Sequence, residues 1–210
     1  VGDFAGKLPM DVISELIGVP ESDRAELRRL ADLLIHREEG VEDVPPEGVA
    51  AALELVVYYT EMLDQRRAHR TDDLTSALLD AEIDGDRLTD DEIIGFLFLM
   101  VVAGNETTTK LLANAWYWGW RNPAEVARPF ADPELIPAWV EETLRYDTSS
   151  QMLARVTTCD VAIAGGTIPA GDRVLLLAGS ANRDDRQFPD PDRFDLSRHL
   201  PAEGGGVQQL

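Results

Sequence analysis

The residues Ala103-Gly104-Asn105-Glu106-Thr107-Thr108 set an acid beside a hydroxyl in the middle of a long apolar run. A carboxyl group releases and takes up a proton, and a hydroxyl donates and accepts at once. Together they are the minimum of a proton relay. The surrounding residues make the pair conspicuous. Ile93 to Val102 is apolar almost throughout, which predicts burial on every face. Gly104 costs about 1 kcal/mol against alanine in a helix interior. Thr107, Thr108 and Thr109 can bond back to the preceding turn and bend the axis. Glu106 is expected in a buried setting, where a carboxylate is expensive unless paired or wetted. Two readings follow. One is a glycine-marked kink where another helix crosses, with Glu106 reaching the surface. The other is a local opening of the helix that holds a small ligand and a proton relay.

A second set of residues can carry charge chemistry. Glu142 and Arg145 stand three apart in a helical pattern and so share a face. As an exposed pair they contribute a few tenths of a kcal/mol.

The element that positions Glu106 and Thr107 is a helix expected over Leu88 to Trp120. Thr89 with Glu92 forms a capping box, and Asp90 and Asp91 fall in the first turn. Asn122-Pro123 ends it. Such a helix of roughly 30 residues is on the order of 45 Å long. Its apolar run is interrupted too early to span a membrane. Shorter helices are expected over Met10–Gly18, Glu21–Ile35, Glu47–His69, Thr71–Ala81 and Pro137–Tyr146. Their inward faces are read as Val12, Ile13, Leu16 and Ile17 in the first, and Leu27, Leu30, Ala31 and Leu34 in the second. In the third they are Val49, Leu53, Val56 and Leu63. Strand-like pieces follow at Arg155–Thr158, Val161–Ile163 and Val174–Leu177, with turns at Gly165-Gly166 and Pro169-Ala170-Gly171. From Asn182 to Leu196 little regular pattern is visible. Helices first and a small sheet afterwards give a mainly α chain with a minor β part (α+β). The 210 residues carry a net charge of -20, so nucleic acid and acidic membranes are poor partners. A single cysteine, Cys159, fits a reducing cytoplasm rather than a disulfide framework.

The order and spacing of the motifs resemble the cytochrome P450 family, the haem-thiolate monooxygenases, in its soluble bacterial form. An Ala-Gly-x-Glu-Thr-Thr in a long helix precedes a Glu-x-x-Arg helix. An arginine then opens a strand, followed by Ile168-Pro169-Ala170-Gly171, Asn182-Arg183-Asp184 and Phe188-Pro189-Asp190-Pro191-Asp192-Arg193-Phe194. The resemblance implies a partial P450 fold over residues 1–198, with the long helix at about 90–120 at its centre and an unmatched tail at 199–210. It implies that Glu106 and Thr107 are the catalytic acid and alcohol of oxygen activation, and that Ala103 and Gly104 lie against the cofactor. Arg155 matches an arginine that binds a haem propionate. Glu142, Arg145 and Arg193 match a structural network that fixes the irregular loop. Leu99, Val102, Gln151 and Met152 are expected to face the substrate. The implied cofactor is haem b, with electrons from NAD(P)H through a ferredoxin or similar carrier, and the implied substrate is a small apolar molecule.

The family's iron ligand is a cysteine in a Phe-x-x-Gly-x-x-x-Cys-x-Gly loop shortly after the position of Arg193. No cysteine follows Arg193 in this chain, so no metal ligand is assigned. Cys159 lies in a strand-like segment and lacks the glycine-rich loop, and nothing in the sequence orients His199. These residues alone are therefore expected to be a fragment of a monooxygenase without activity. A non-catalytic helical scaffold or binding module derived from the same fold is the alternative.

Overall fold

The computed structural model describes residues 2–36 and 43–199. Most of the expected tail therefore lies outside the described residues. Contacts divide the chain into two compact units, Val1–Thr109 and Lys110–Leu210.

The first unit holds α1 (Leu8–Ile17), α2 (Glu21–Ile35), α3 (Pro46–Ala68) and α4 (Leu74–Asp80). A short hairpin follows, β1 (Glu82–Ile83) paired antiparallel with β2 (Asp86–Arg87). Its turn residues Asp84 and Gly85 both have positive φ, the conformation that a two-residue hairpin turn requires. Helix α5 (Asp90–Arg121) begins in this unit and ends in the second. Its start is the expected capping box. The Thr89 N–H donates to Glu92 Oε2 (2.8 Å), and the Glu92 N–H donates back to Thr89 Oγ1 (3.3 Å). The core gathers Met10, Ile17, Leu27, Leu30, Leu55, Tyr59, Leu63, Ile93, Leu97 and Val101.

Two inward faces differ from expectation. On α3, Val49, Leu53 and Val56 are exposed, and Ala51, Leu55, Tyr59 and Met62 are buried beside Leu63. The helix is apolar on several sides, so periodicity alone cannot pick its contact face. Small residues decide it. A Cβ on Gly48 would stand 3.0 Å from the Leu33 carbonyl oxygen, so α2 lies tight against this edge. On α1, Val12 and Leu16 are exposed, and Met10, Ser14 and Ile17 are buried. Burial on α5 is also narrower than its composition predicts. Ile93, Leu97 and Val101 form a buried stripe four residues apart, and Phe96 and Leu99 are exposed.

One polar joint locks α1, α3 and α4. Arg66 Nε donates to Asp73 Oδ2 (2.6 Å), and Arg66 Nη2 donates to the Gly18 carbonyl (2.7 Å). Asp73 caps α4 by accepting from the Ser76 N–H (2.8 Å). Thr75 Oγ1 donates to the Ile17 carbonyl (2.6 Å). Gly18 is left-handed (φ 86°), and a Cβ there would lie 2.1 Å from Asp73 Oδ2. Burial pushes the Asp73 carboxyl up. Its bonds from Thr71, Ser76 and Arg66 outweigh that and hold it below the usual carboxylate range.

The second unit contains the end of α5, then α6 (Pro123–Ala131) and α7 (Ile136–Tyr146), with a 3-10 turn at Pro133–Leu135 between them. Helix α6 is absent from the sequence reading. Pro123 ends α5 and is also the first residue of α6, where its missing N–H would be unpaired anyway. Next come β3 (Leu153–Val156), β4 (Val161–Ile163), β5 (Gly166–Ile168), β6 (Arg173–Leu176) and a single helical turn, α8 (Ala178–Ala181). β3 pairs antiparallel with β6, Arg155 opposite Val174, and β4 pairs with β5, Val161 opposite Ile168. The observed β3 begins two residues before the expected strand. Strand β5 occupies part of what reads as turn, because the left-handed residues are Ala164 and Gly165 rather than Gly165 and Gly166. Leu153, Val156, Leu175 and Leu176 stay exposed, so ladder bonds hold this ribbon with little help from burial.

The first-unit joint sets two expectations. Gly18→Ala should destabilise the protein by about 2–4 kcal/mol in urea denaturation, from left-handed strain plus overpacking. Asp73 has its folded-state pKa depressed, so its contribution is complete above the ordinary carboxylate range. It is lost as pH falls through that range toward the lower folded value. Asp73→Asn should flatten the acid limb of stability against pH.

Candidate functional site

The two chemistry-bearing regions of the sequence have very different surroundings. Around Gly104, α5 runs as a continuous α-helix with no break from Asp90 to Arg121. No local opening of the backbone is present. Ile13 of α1 reaches here: a Cβ on Gly104 would lie 1.9 Å from Ile13 Cδ1. The glycine therefore leaves room for the end of the Ile13 side chain from α1. Nearby, Thr109 Oγ1 donates to the Ala5 carbonyl (2.9 Å).

The buried residue of this segment is Asn105, not Glu106. Asn105 continues the Ile93, Leu97, Val101 stripe by one more step of four and is 6% exposed. Its amide donates to Asp32 Oδ1 on α2 (3.4 Å). Burial raises the Asp32 carboxyl. Arg28 and the Asn105 bond oppose that rise, and the charge of Glu106 adds to it. Glu106 is only half-buried.

Leu99, Ala103 and Thr107 are exposed at four-residue spacing, on the side of α5 away from the buried stripe. Val102 and Glu106 are half-buried on one flank of this open face, and Gly104 is half-buried on the other flank, beside Ile13 of α1. Thr107 Oγ1 donates its proton to the Ala103 carbonyl (2.7 Å). Its oxygen keeps lone pairs for accepting, and it can donate elsewhere only by giving up that helix bond. The face thus presents an apolar floor, a carboxylate and a convertible hydroxyl.

The second region is buried. Glu142 is fully buried and Arg145 is 4% exposed. Two parallel bonds join them: Arg145 Nε donates to Glu142 Oε2 and Arg145 Nη2 to Glu142 Oε1, each at 2.8 Å. Arg145 also donates to the carbonyls of Asn182 (2.9 Å), Pro191 (2.9 Å) and Arg193 (3.1 Å). Glu142 Oε1 accepts the Asp195 N–H (2.7 Å). One ion pair therefore ties α7 to four backbone points of the irregular segment. The guanidinium is flanked by the Tyr146 and Phe188 rings at 5.5 and 5.3 Å.

Arg193 enters this network through its backbone carbonyl. Its side chain is 64% exposed and stands 3.8 Å from Asp195. The cation near Glu142 is instead Arg198, 14% exposed, with Nε 3.6 Å from Glu142 Oε1. Its other nitrogens donate to the carbonyls of Pro189 and Asp190 (2.7 Å for the latter). The sequence carries no signal that would prefer Arg198 over Arg193, because both lie in the same arginine- and aspartate-rich stretch.

Around the pair, Arg183 stacks over Tyr146 at 3.8 Å and donates to the Tyr146 carbonyl, while Tyr146 packs edge-on against Trp118 and Phe194. Trp118 Nε1 donates to Asp147 Oδ2 (2.8 Å) and Asn114 to the Asp147 carbonyl (2.8 Å), fastening α5 to the end of α7.

The remaining candidates are also in the second unit. Arg155 on β3 is exposed, its Nη1 donating to the Ala154 carbonyl (2.8 Å). Met152 is exposed, and Gln151 is exposed but tied to the Thr148 carbonyl (2.7 Å). Cys159 is an exposed free thiol. Among the described residues, no group of three or more His, Cys, Asp or Glu is placed to hold a metal ion. No described helix is long and apolar enough to cross a membrane.

Breaking the buried pair with Glu142→Ala should cost about 3–5 kcal/mol, because Arg145 is left as an unpaired buried charge. Arg193→Ala should change stability by less than about 0.5 kcal/mol, as its backbone contact survives. Arg198→Ala should fall between the two. Urea denaturation followed by tryptophan fluorescence ranks all three, and a larger loss at Arg193 than at Arg198 would contradict the geometry.

Comparison with known proteins supplies a family. The model of a family described as Cytochrome P450 matches residues 130–209. A relative in Mycobacterium bovis described as putative cytochrome P450 123 is 62% identical over 200 residues, 95% of this chain and 50% of that protein. Cyclomarin C epoxidase CymV of Salinispora arenicola is 42% identical, covering 94% of this chain and 51% of its own length. Among solved structures, P450BioI in complex with a fatty-acyl-ligated acyl carrier protein superposes with a TM-score of 0.86 at 37% identity, over 94% of this chain and 51% of that one. The chain spans about half the length of the relatives it matches.

Proposed function

The chain belongs to the cytochrome P450 family, over about half the length of its relatives, and on that premise we propose that it is part of a haem-dependent monooxygenase acting on a small apolar molecule. The observation that carries this reading is the open face of α5, where Glu106 and Thr107 stand beside the exposed apolar Leu99 in a chain of this family. When bound, haem supplies the redox chemistry that activates dioxygen.

The residues present fit such a cofactor in part. Arg155 offers an exposed guanidinium, the donor type that suits a propionate carboxylate. Ala103 is small and exposed, and allows a flat ligand to approach the helix closely. A thiolate ligand is not among the described residues, since the exposed Cys159 follows β3 in a tight bend.

Thr107 and Glu106 divide the proton work. The Thr107 hydroxyl accepts at its free lone pairs while bonded to the Ala103 carbonyl, and it becomes a donor when it lets that carbonyl go. The Ala103 carbonyl keeps its ordinary helical partner, so the exchange need not break the helix. Glu106, half-exposed, links this hydroxyl to solvent. Leu99, Val102 and Met152 supply apolar contact for a substrate, and Gln151 a polar one. Glu142, Arg145 and the loop they fix serve stability. Electrons from NAD(P)H, a ferredoxin-like carrier and a cytoplasmic setting complete the reading.

These residues alone are expected to lack monooxygenase activity. Reconstitution with haem, followed by reduction and carbon monoxide, should give no thiolate-type red-shifted Soret band. Appearance of that band would overturn the inactivity and leave the family unaffected. In a full-length enzyme carrying these residues, Thr107→Ala should leave substrate binding within about twofold but divert reductant to peroxide, read as product formed per NAD(P)H consumed. Unchanged coupling would remove Thr107 from the relay. It would favour the alternative, a helical scaffold that retains the fold's packing.

A further inference from the structure

A groove of about 600 Å³ runs between α2 and α3, on a part of the first unit that the proposed chemistry does not use. Its floor is apolar. Leu27 and Leu30 are buried at the base, and Leu53 and Val57 line it with 64% and 57% of their surfaces exposed. Leu53, Val57 and Glu61 follow one another at four-residue spacing along α3, so the apolar strip ends in a carboxylate.

The rim has one dominant sign. Asp23 and Glu26 contribute from α2, Glu54 and Glu61 from α3. The structure already shows what this rim accepts. The Arg29 guanidinium bonds Glu26 on its own helix and reaches to 3.7 Å from Glu54 on the other, bridging the two walls. Arg66 adjoins Asp23 and Glu61 in the neighbouring recess but is already bonded to Asp73 and the Gly18 carbonyl, so four carboxylates against Arg29 leave the rim negative. Tyr58 Oη donates to Asp23 (2.9 Å) and holds that carboxylate at the rim.

An exposed apolar strip four residues in period, flanked by carboxylates on both sides, is the complement of an amphipathic helix with basic flanks. We propose that this groove docks a cationic amphipathic helix of a partner protein. The helix's apolar stripe lies on Leu53 and Val57, and its lysines or arginines pair with Glu54, Glu61 and Asp23. A general attraction to an acidic protein would need no apolar floor, and a purely apolar contact would need no carboxylate rim. The groove has both.

The test uses the chain as it stands and a fluorescently labelled Lys/Leu amphipathic helix, with a Lys/Ser peptide of equal length and charge as control. Anisotropy titrations should show the amphipathic peptide binding at least about tenfold more tightly, with affinity falling as salt rises. Leu53→Lys with Val57→Lys should weaken it about tenfold or more, and Glu54→Gln with Glu61→Gln should weaken it several-fold. Leu53 and Val57 are exposed, and circular dichroism of each variant is the check that it remains folded. Asp160→Asn with Glu134→Gln, the same charge change elsewhere, should leave affinity unaltered. Equal binding of both peptides, or indifference to the groove substitutions, would assign the binding to net charge and overturn the proposal. Self-association abolished by Leu53→Lys, without peptide binding, would make a second copy of the chain the occupant and overturn it equally.

Discussion

The second unit depends on one buried ion pair. Glu142 and Arg145 are both removed from water, a situation that costs several kcal/mol per ion unless geometry and extra bonds compensate. The compensation is visible. The two bonds between them are parallel and short, and further bonds run from Arg145 to three backbone carbonyls and from the Asp195 N–H to Glu142. Every one of those backbone groups belongs to the segment after β6 that has little regular structure of its own. A chain without helix or sheet must satisfy its carbonyls some other way, and a guanidinium with five donors does it from one point. The apolar cluster there is small: Ala138, Phe194 and Leu196 are buried, with Trp118, Trp139 and Tyr146 packed against them. The pair therefore specifies the path of the loop, and the apolar contacts fill in behind it.

The first unit is organised differently. Its core is a large apolar cluster, and its polar joint at Arg66, Asp73 and Gly18 sits where three helix ends meet. Helix ends carry unpaired backbone groups, so a buried junction of them needs such a joint. Helix α5 draws on this core through a single stripe. Because the stripe takes one side of the helix, the opposite side remains available, and Leu99, Ala103 and Thr107 lie there. Gly104 lies on a flank of that open face. Its lack of a side chain makes room for Ile13 of α1 while the helix stays regular. The residues that look like helix-breakers are thus tolerated for separate reasons: the glycine for packing, and the threonine because its hydroxyl bonds back to Ala103.

Much of this was legible in the residues. The capping box at Thr89 and Glu92, the extent of α2 and the helix-then-strand order all rest on local rules, and local rules are written in adjacent residues. The spacing of Glu142 and Arg145 put them on one face. The motif order also sufficed to name the family, because it is a property of sequence alone. Helix α6 was not legible, since Pro123 serves as both a stop and a start.

Contacts between elements were decided elsewhere. Periodicity offered Val49, Leu53 and Val56 as the inward face of α3, and Gly48 with Ala51 set another, because backbone proximity outweighs hydrophobic count where several faces are apolar. The same limit made Glu106 seem buried when Asn105 was, a difference of one residue and 100° of helix rotation. It also hid which arginine stands by Glu142. Residue types and spacing determined which family the chain belongs to and which residues are candidates for chemistry. Only the tertiary structure decided which side chains meet, because burial depends on what lies opposite a residue, and that neighbour is remote in the chain.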